Sequence, residues 1–281
     1  MTKYVITLSL LIHMATVCSG QDSDILNTDE PIKFQRINSP VKLDGMSDEI
    51  AWEGIVSLPM LMRAPNSGNE PSERTEILIG YDDDYIYAAG RFYDSEPSKI
   101  QATSLKRDGG WTWSTDAMSI IFDTFNDNAV DFLTTPAGTR TDVNILNDGV
   151  GVPYRNANPS WNAFWDAATL SNDEGWFAEV RIPFSSLRFE EKDGNTVMGL
   201  IAYRLLPRKG EFSTFPLIPE KYGIIQPSQA KEVLFEGIKS HHSLYITPYI
   251  LGGLGQSYEL NEDEAAYGRN DKCLSMKQDW M

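Results

Sequence analysis

The stretch "RDGGWTWSTDAMSIIFD", residues 107–123, sets two tryptophans one residue apart on a glycine-rich loop, ahead of a run that alternates apolar and polar. An indole is the largest apolar surface a side chain offers, so Trp111 and Trp113 either cap a core or stand out as a platform. Lys106, Arg107, Asp108 and Asp116 surround them, groups that hydrogen-bond hydroxyls. A sugar ring asks for this combination, because its C–H faces rest on aromatic rings while its hydroxyls pair with planar polar side chains. "NANPSWNAFWD" repeats the theme with Asn156, Asn158, Trp161, Asn162 and Trp165. Its two tryptophans share a face of a helical turn, or Trp165 opens a strand and packs inward.

Other chemistries are addressed by the same residues. "YDDDY" and "FDTFNDN" gather Asp82, Asp83, Asp84, Asp123, Asn126 and Asp127, oxygen donors of the kind a hard cation such as calcium takes. Neither spacing is that of an EF-hand, and in a chain with 40 acidic side chains such turns also read as simply solvated. No "GxSxG" occurs, and the histidines past the leader, His241 and His242, are adjacent and point to opposite faces of a strand, a poor metal site by themselves. "GGLGQS" is not a dinucleotide fingerprint and no phosphate-cradling loop is present. A glycosidase needs two carboxylates flanking one bond, and among so many acids none is nominated or excluded. The net charge of -16, with no run of Lys and Arg, argues against nucleic acid as a partner.

The elements that must carry these residues have a period of two. In "TEILIGYDDDYIYAAGRFYD", Ile77, Ile79 and Tyr81 alternate with polar or small neighbours, an acidic turn follows, and the alternation returns from Tyr85 to Tyr93 as a hairpin. "DAMSIIFDTF", "VDFLTTPAGTRTDVNI", "FWDAATLSNDEGWFAEVRIPF" and "TVMGLIAYRLLP" continue the pattern between turn-forming clusters. Helical spacing is confined to single turns in "SDEIAW", capped by Ser47 or Asp48, and in "PFSSLRF". Trp52, after the first turn, reads as a plug at one end, and Trp176, Ala178, Val180 and Ile182 share a strand face. The expected fold is all-β, an antiparallel, jelly-roll-like β-sandwich over 31–238 that "VLFEGI" closes. Residues 1–20, "MTKYVITLSLLIHMATVCSG", read as a secretory signal peptide, with a lipid anchor on Cys18 as a competing reading that Ala15, Thr16 and Val17 fit poorly. Residues 21–30 are a polar tether, and 239–281, glycine-broken and aperiodic at its end, reads as the truncated start of a second β unit. Cys273 alone then remains, so no internal disulfide forms, and no later stretch is long enough for a membrane helix.

"PVKLDGMSDEIAW", "TEILIGYDDDYIYAAGRFYD", "WSTDAMSIIFD", "EGWFAEVRIPFSSL" and "NTVMGLIAYRLLP", in this order, resemble the family 9 carbohydrate-binding module, in the variant that opens exported Bacteroidetes-type proteins ahead of a membrane-type β-barrel. The resemblance runs from about Pro31 to Ile238. It implies a stacking tryptophan three residues before the Asp that opens the next strand, which here are Trp113 and Asp116. Ligand contacts are therefore expected from Trp113, Trp111, Arg107, Asp108, Asp116, Trp161, Asn162 and Tyr222, and structural calcium from Asp123, Asn126 and Asp127. Three departures stand out: Ser119 replaces the family's acid, Leu133 replaces its Arg, and its second stacking Trp has only Phe212, Phe215 or Tyr222 to answer for it. The function implied is binding of a poly- or oligosaccharide without turnover, outside the inner membrane in the periplasm, the outer membrane or beyond, in support of polysaccharide breakdown or uptake. The alternatives are part of an enzyme cleaving O-glycosyl bonds, or a plug or protein-interaction domain of an outer-membrane barrel protein.

Overall fold

The computed structural model describes residues 30–109, 113–125, 128–150 and 156–239, together with four strands between 251 and 277. The chain divides into two compact units between His241 and His242. In the first unit the strands are β1 (Ile32–Lys33), β2 (Gln35–Arg36), β3 (Leu61–Ala64), β4 (Thr75–Tyr81), β5 (Tyr85–Tyr93), β6 (Ala117–Phe125) and β7 (Asn128–Thr134). They continue with β8 (Arg140–Ile145), β9 (Ala157–Asn158), β10 (Asp166–Asn172), β11 (Gly175–Pro183), β12 (Asn195–Leu206), β13 (Glu211–Phe215) and β14 (Lys231–Glu236). The larger sheet runs β1-β14-β12-β6-β7-β8-β9, with β13 against β12 and β3 against β13. The smaller runs β10-β11-β5-β4-β2. The pairings are antiparallel except where the entering chain gives two residues to each sheet, β1 beside β14 and β2 beside β4, both parallel. So short an entry needs no crossover connection, and it ties the two sheets together along one edge.

Alternation assigns the layers as the sequence leads one to expect. Ile77, Ile79, Ile86, Ala88 and Phe92 of the hairpin meet Met118, Ile120, Phe122, Met198 and Leu200 of the larger sheet. Trp176 is enclosed among them, 4.3 Å from Phe92 ring to ring, on one face with Ala178, Val180 and Ile182. Each such side chain, fully buried, contributes roughly 1.5–3 kcal/mol.

The outer faces depart from the expected polar alternation, because segments of the chain itself cover both. Residues 37–55 cross the smaller sheet, where Ile37, Ala51 and Trp52 pack on Leu78, Tyr87 and Ala89. Trp52 therefore lies on an outer face instead of plugging an end, and its 3-10 turn, Ile50–Trp52, follows Glu49 without a side-chain cap from Ser47 or Asp48. Residues 216–230 form a strap over the larger sheet, packing Ile218, Tyr222, Ile224 and Ile225 on Ile121, Leu133, Ile201 and Tyr203. Arg63 Nη2 donates to the Tyr222 carbonyl at 2.8 Å, and Asp148 accepts the Ser228 N–H at 2.8 Å, so the strap is tied at two points. The run "AMSIIF" of β6 gives the reason: a strand apolar on both sides needs cover on both.

In the second unit β15 (Leu251–Gly255) pairs with β18 (Cys273–Lys277), and β16 (Tyr258–Leu260) with β17 (Tyr267–Arg269), both antiparallel. No helix among the described residues is long and apolar enough to cross a membrane.

Candidate functional site

The loop that carries Trp113 is fastened at both ends before the indole can be held anywhere. Gln101 and Asp116 exchange two hydrogen bonds, Asp116 N–H to the Gln101 carbonyl and Gln101 N–H to Asp116 Oδ2, each 2.8 Å. Across the strand ends, Asp108 N–H donates to the Arg140 carbonyl at 3.1 Å, with Asp108 in the left-handed region at φ 61 that Asp tolerates better than most residues. Asp116 itself is fully buried, so it holds the loop and does not face a ligand. Burial pushes its carboxyl up to about 6, against the Gln101 N–H and the Arg204 charge that favour the anion.

Trp113 is 70% exposed. Its ring sits 5.7 Å from Phe212, tilted by 49°, and Phe212 in turn sits 5.2 Å from Tyr203. Phe212 and Tyr203 are buried, so three rings step outward from the core and the outermost one is rigidly backed. Trp111 lies outside the described residues. Lys106 and Asp108 are exposed.

Arg107 connects the two groups of candidates. Its Nη2 donates to Oδ1 of Asp142 on β8, a fully buried carboxylate that also accepts the Ala163 N–H at 2.6 Å and the Trp165 indole N–H at 3.2 Å. A buried charge must be paired and hydrogen-bonded, and the donors available to Asp142 come from the two loops that the sequence singled out. Asp142 escaped the sequence reading, although a carboxylate at an inward position of "RTDVNI" was the signal for it. Trp165 is packed, edge-on to Phe132 at 5.5 Å. Trp161 is half-buried against the inter-sheet core, and Asn162 is exposed with its amide on the Ser160 carbonyl. Phe164, which the sequence reading passed over, is 61% exposed. Tyr222 is half-buried within the strap, away from the Trp113 loop in sequence and packed on the second core. Phe215 belongs to the inter-sheet core.

Ser119 and Leu133 are register partners on β6 and β7, and both are buried. Ser119 Oγ donates to Asp131 Oδ1, and the Tyr203 hydroxyl approaches Oδ2 at 3.4 Å. Burial pushes the Asp131 carboxyl up to about 7, opposed by these two donors and reinforced by the Asp142 charge. The two positions of the family's acid and Arg thus lie within the packed face that the strap covers.

Of the acids expected to hold calcium, Asn126 and Asp127 lie outside the described residues, and Asp123 is half-buried near the end of β6. Asp82 is engaged in its own turn, Oδ1 accepting Asp84 and Tyr85 N–H at 2.8 and 2.7 Å, and Asp83 pairs with Arg36 at 2.7 Å. A different trio converges, with one oxygen each of Asp44, Glu49 and Glu179 within 4.8 Å of one another. Donors already occupy it: Glu179 accepts Asp44 and Gly45 N–H at 3.0 Å and the Trp52 indole at 3.1 Å, and Lys42 meets Asp44 at 2.8 Å. These bonds make the trio a clamp for the entry segment, and they do not leave a cation its ligands.

The chain shares its fold with solved structures. A protein from Bacteroides uniformis, proposed to bind carbohydrate, aligns with a TM-score of 0.56 at 11% identity, over 74% of this chain and 99% of that one. A family 9 carbohydrate-binding module from Caldicellulosiruptor kristjanssonii, in complex with glucose, aligns with a TM-score of 0.50 at 17% identity, over 77% and 99%. At these identities the likeness shows the β-sandwich. No family model and no curated protein matches the sequence.

Proposed function

We propose that the first unit is a carbohydrate-binding module of family 9 type, belonging to an exported protein and serving polysaccharide breakdown or uptake at the cell envelope. One observation carries the reading: an indole 70% open to solvent, backed by two buried rings, on a loop fastened at both ends. An exposed tryptophan held at such a cost in apolar surface suits a ring whose C–H face can lie on it. Arg107, half-buried six residues earlier in the chain, supplies donors for hydroxyls. The solved relative in complex with glucose supports the same reading. Calcium at the loop of Asp123, Asn126 and Asp127 is a lesser part of the proposal.

Affinity electrophoresis in xylan and cellulose derivatives, with tryptophan fluorescence, tests it. Retardation and quenching are expected for the native protein, and Trp113→Ala is expected to abolish both while the unfolding midpoint stays within about 0.5 kcal/mol of the native value. The covered sheet face favours a second reading, a protein-interaction or plug domain that has given up sugar. Failure of a broad glycan array to detect any binding, with no reducing sugar released, would transfer the proposal to it.

A further inference from the structure

We infer that the ligand is a glycan bearing anionic groups, and that Arg63 is the residue that meets the anion on the sheet face that carries Trp113. The inference rests on the sugar-binding reading above and names its substrate class.

The placement follows from register and packing. Trp113 leans on Phe212, 5.7 Å ring to ring, and Phe212 pairs with Ala64 on β3, one strand spacing of about 4.8 Å away. Phe212, Ala64 and Tyr222 pack in one cluster, on the face of the larger sheet that the strap covers. A bulge brings Arg63 to the same face. Phe212 is opposite Ala64 while Ser213 is opposite Met62, so β3 holds one residue more than β13 at this point, and the extra residue is Arg63. Its Nη2 donates to the Tyr222 and Glu220 carbonyls of the strap, at 2.8 and 3.3 Å.

The charge on Arg63 is left without a counter-ion. Among the described residues those two carbonyls are its hydrogen-bond acceptors, Nη1 has none, and Nε is enclosed without one. No carboxylate pairs with it although the chain carries a net charge of -16, and the Glu220 charge is the acid that favours its protonated form from a distance. Burial lowers the guanidinium from its ordinary value, the mark of a cation that has lost water. A half-buried charge of this kind is costly, and an anion delivered by the ligand offsets the cost. Lys221 adds a second cation, its Nζ 4.8 Å from the Tyr222 ring and also without a carboxylate partner among the described residues. The guanidinium is already held by the strap, so little freedom is lost when an anion meets Nη1. A uronic acid carboxylate and a sulfate ester present the same chemistry to it, and the sugar ring that bears either one can lie on the indole.

Titration calorimetry of the full chain with polygalacturonate, with the same polymer after reduction of its carboxyl groups, and with a sulfated galactan tests the inference. One of the charged polymers is expected to bind at least about tenfold more tightly than the reduced one, as a charge-assisted hydrogen bond of about 1.5 kcal/mol or more requires. The preference is expected to shrink as salt is raised, because the pair is partly exposed. Arg63→Gln is expected to bring charged and reduced polymers to within about twofold of each other, Arg63→Lys to keep part of the difference, and Trp113→Ala to lower the affinity for both. The polymer preferred tells carboxylate from sulfate. Equal binding of charged and reduced polymers, or a preference that survives in Arg63→Gln, overturns the inference while the sugar-binding reading stands. Absence of binding by these polymers and by every glycan of a broad array overturns both. Thermal unfolding shows whether each variant is folded, and should Arg63→Gln fail to fold because the strap is released, Lys221→Gln takes its place, with a smaller loss of the same preference expected and an unchanged preference counting against the inference.

Discussion

Replacing Asp131 by asparagine is expected to remove the largest single loss of stability with rising pH. The carboxyl is fully buried, with the Ser119 and Tyr203 hydroxyls on its two oxygens, and its folded value is pushed up to about 7, from 3.8 in an exposed chain. The folded protein therefore keeps a proton that the unfolded chain releases, and this contribution is complete below about pH 4 and is lost as pH rises through about 7. Each pH unit in that window removes about 1.4 kcal/mol, so roughly 4 kcal/mol disappears between pH 4 and pH 7. Asparagine reproduces the neutral acid, with Nδ2 as donor toward Ser119 Oγ or the Tyr203 hydroxyl, and it cannot ionise. Asp116, pushed up to about 6, and Glu179, also raised by burial, slope in the same direction, so the quantity to measure is the difference between the two proteins. Urea unfolding at one-unit steps from pH 4 to pH 8 should give similar free energies at the acid end, with the Asp131→Asn protein more stable by about 4 kcal/mol at pH 8. Parallel curves would refute the reasoning, because they would mean that Asp131 is solvated or that a cation neutralises it.

Asp142→Ala leaves the Ala163 and Trp165 N–H groups without an acceptor in a buried site, and is expected to cost about 3 kcal/mol by denaturant unfolding and to weaken glycan binding, since Arg107 and the 156–165 loop lose their common anchor. A loss below about 1 kcal/mol would show that water replaces the carboxylate. Calcium added back after chelation is expected to raise the unfolding temperature, and Asp123→Asn to remove the rise; an unfolding temperature indifferent to calcium refutes the ion.

Much of the sandwich is written locally. The turn acids of "YDDDY", the alternation on either side of it and the stop at Pro183 belong to neighbouring residues, and the hairpin β4–β5 and the strands β6 to β8, β10 to β12 and β14 lie where that pattern places them. Glu179 shows where such reading ends. It occupies an outward position of β11, which a period of two assigns to water, yet it is buried because residues 37–55 return over that face. Asp131 and Ser119 are buried polar groups for the same cause, since the strap that covers their face arrives from almost a hundred residues later in the chain.

The candidate site divides along the same line. Trp113, its glycine-rich loop and the Asp three residues on were legible as a group, because their spacing alone suggests an indole ahead of a strand. That the indole is open while Trp165 is closed, and that Asp116 looks inward, followed only from how loops pack across strand ends. Sequence by itself determined the strands, their faces and the chemistry available to the loops, since these depend on a few adjacent side chains and their period. Tertiary structure decided which outer faces are covered, which carboxylates lose water and which rings meet solvent, since burial is the sum of contacts between segments far apart in the chain.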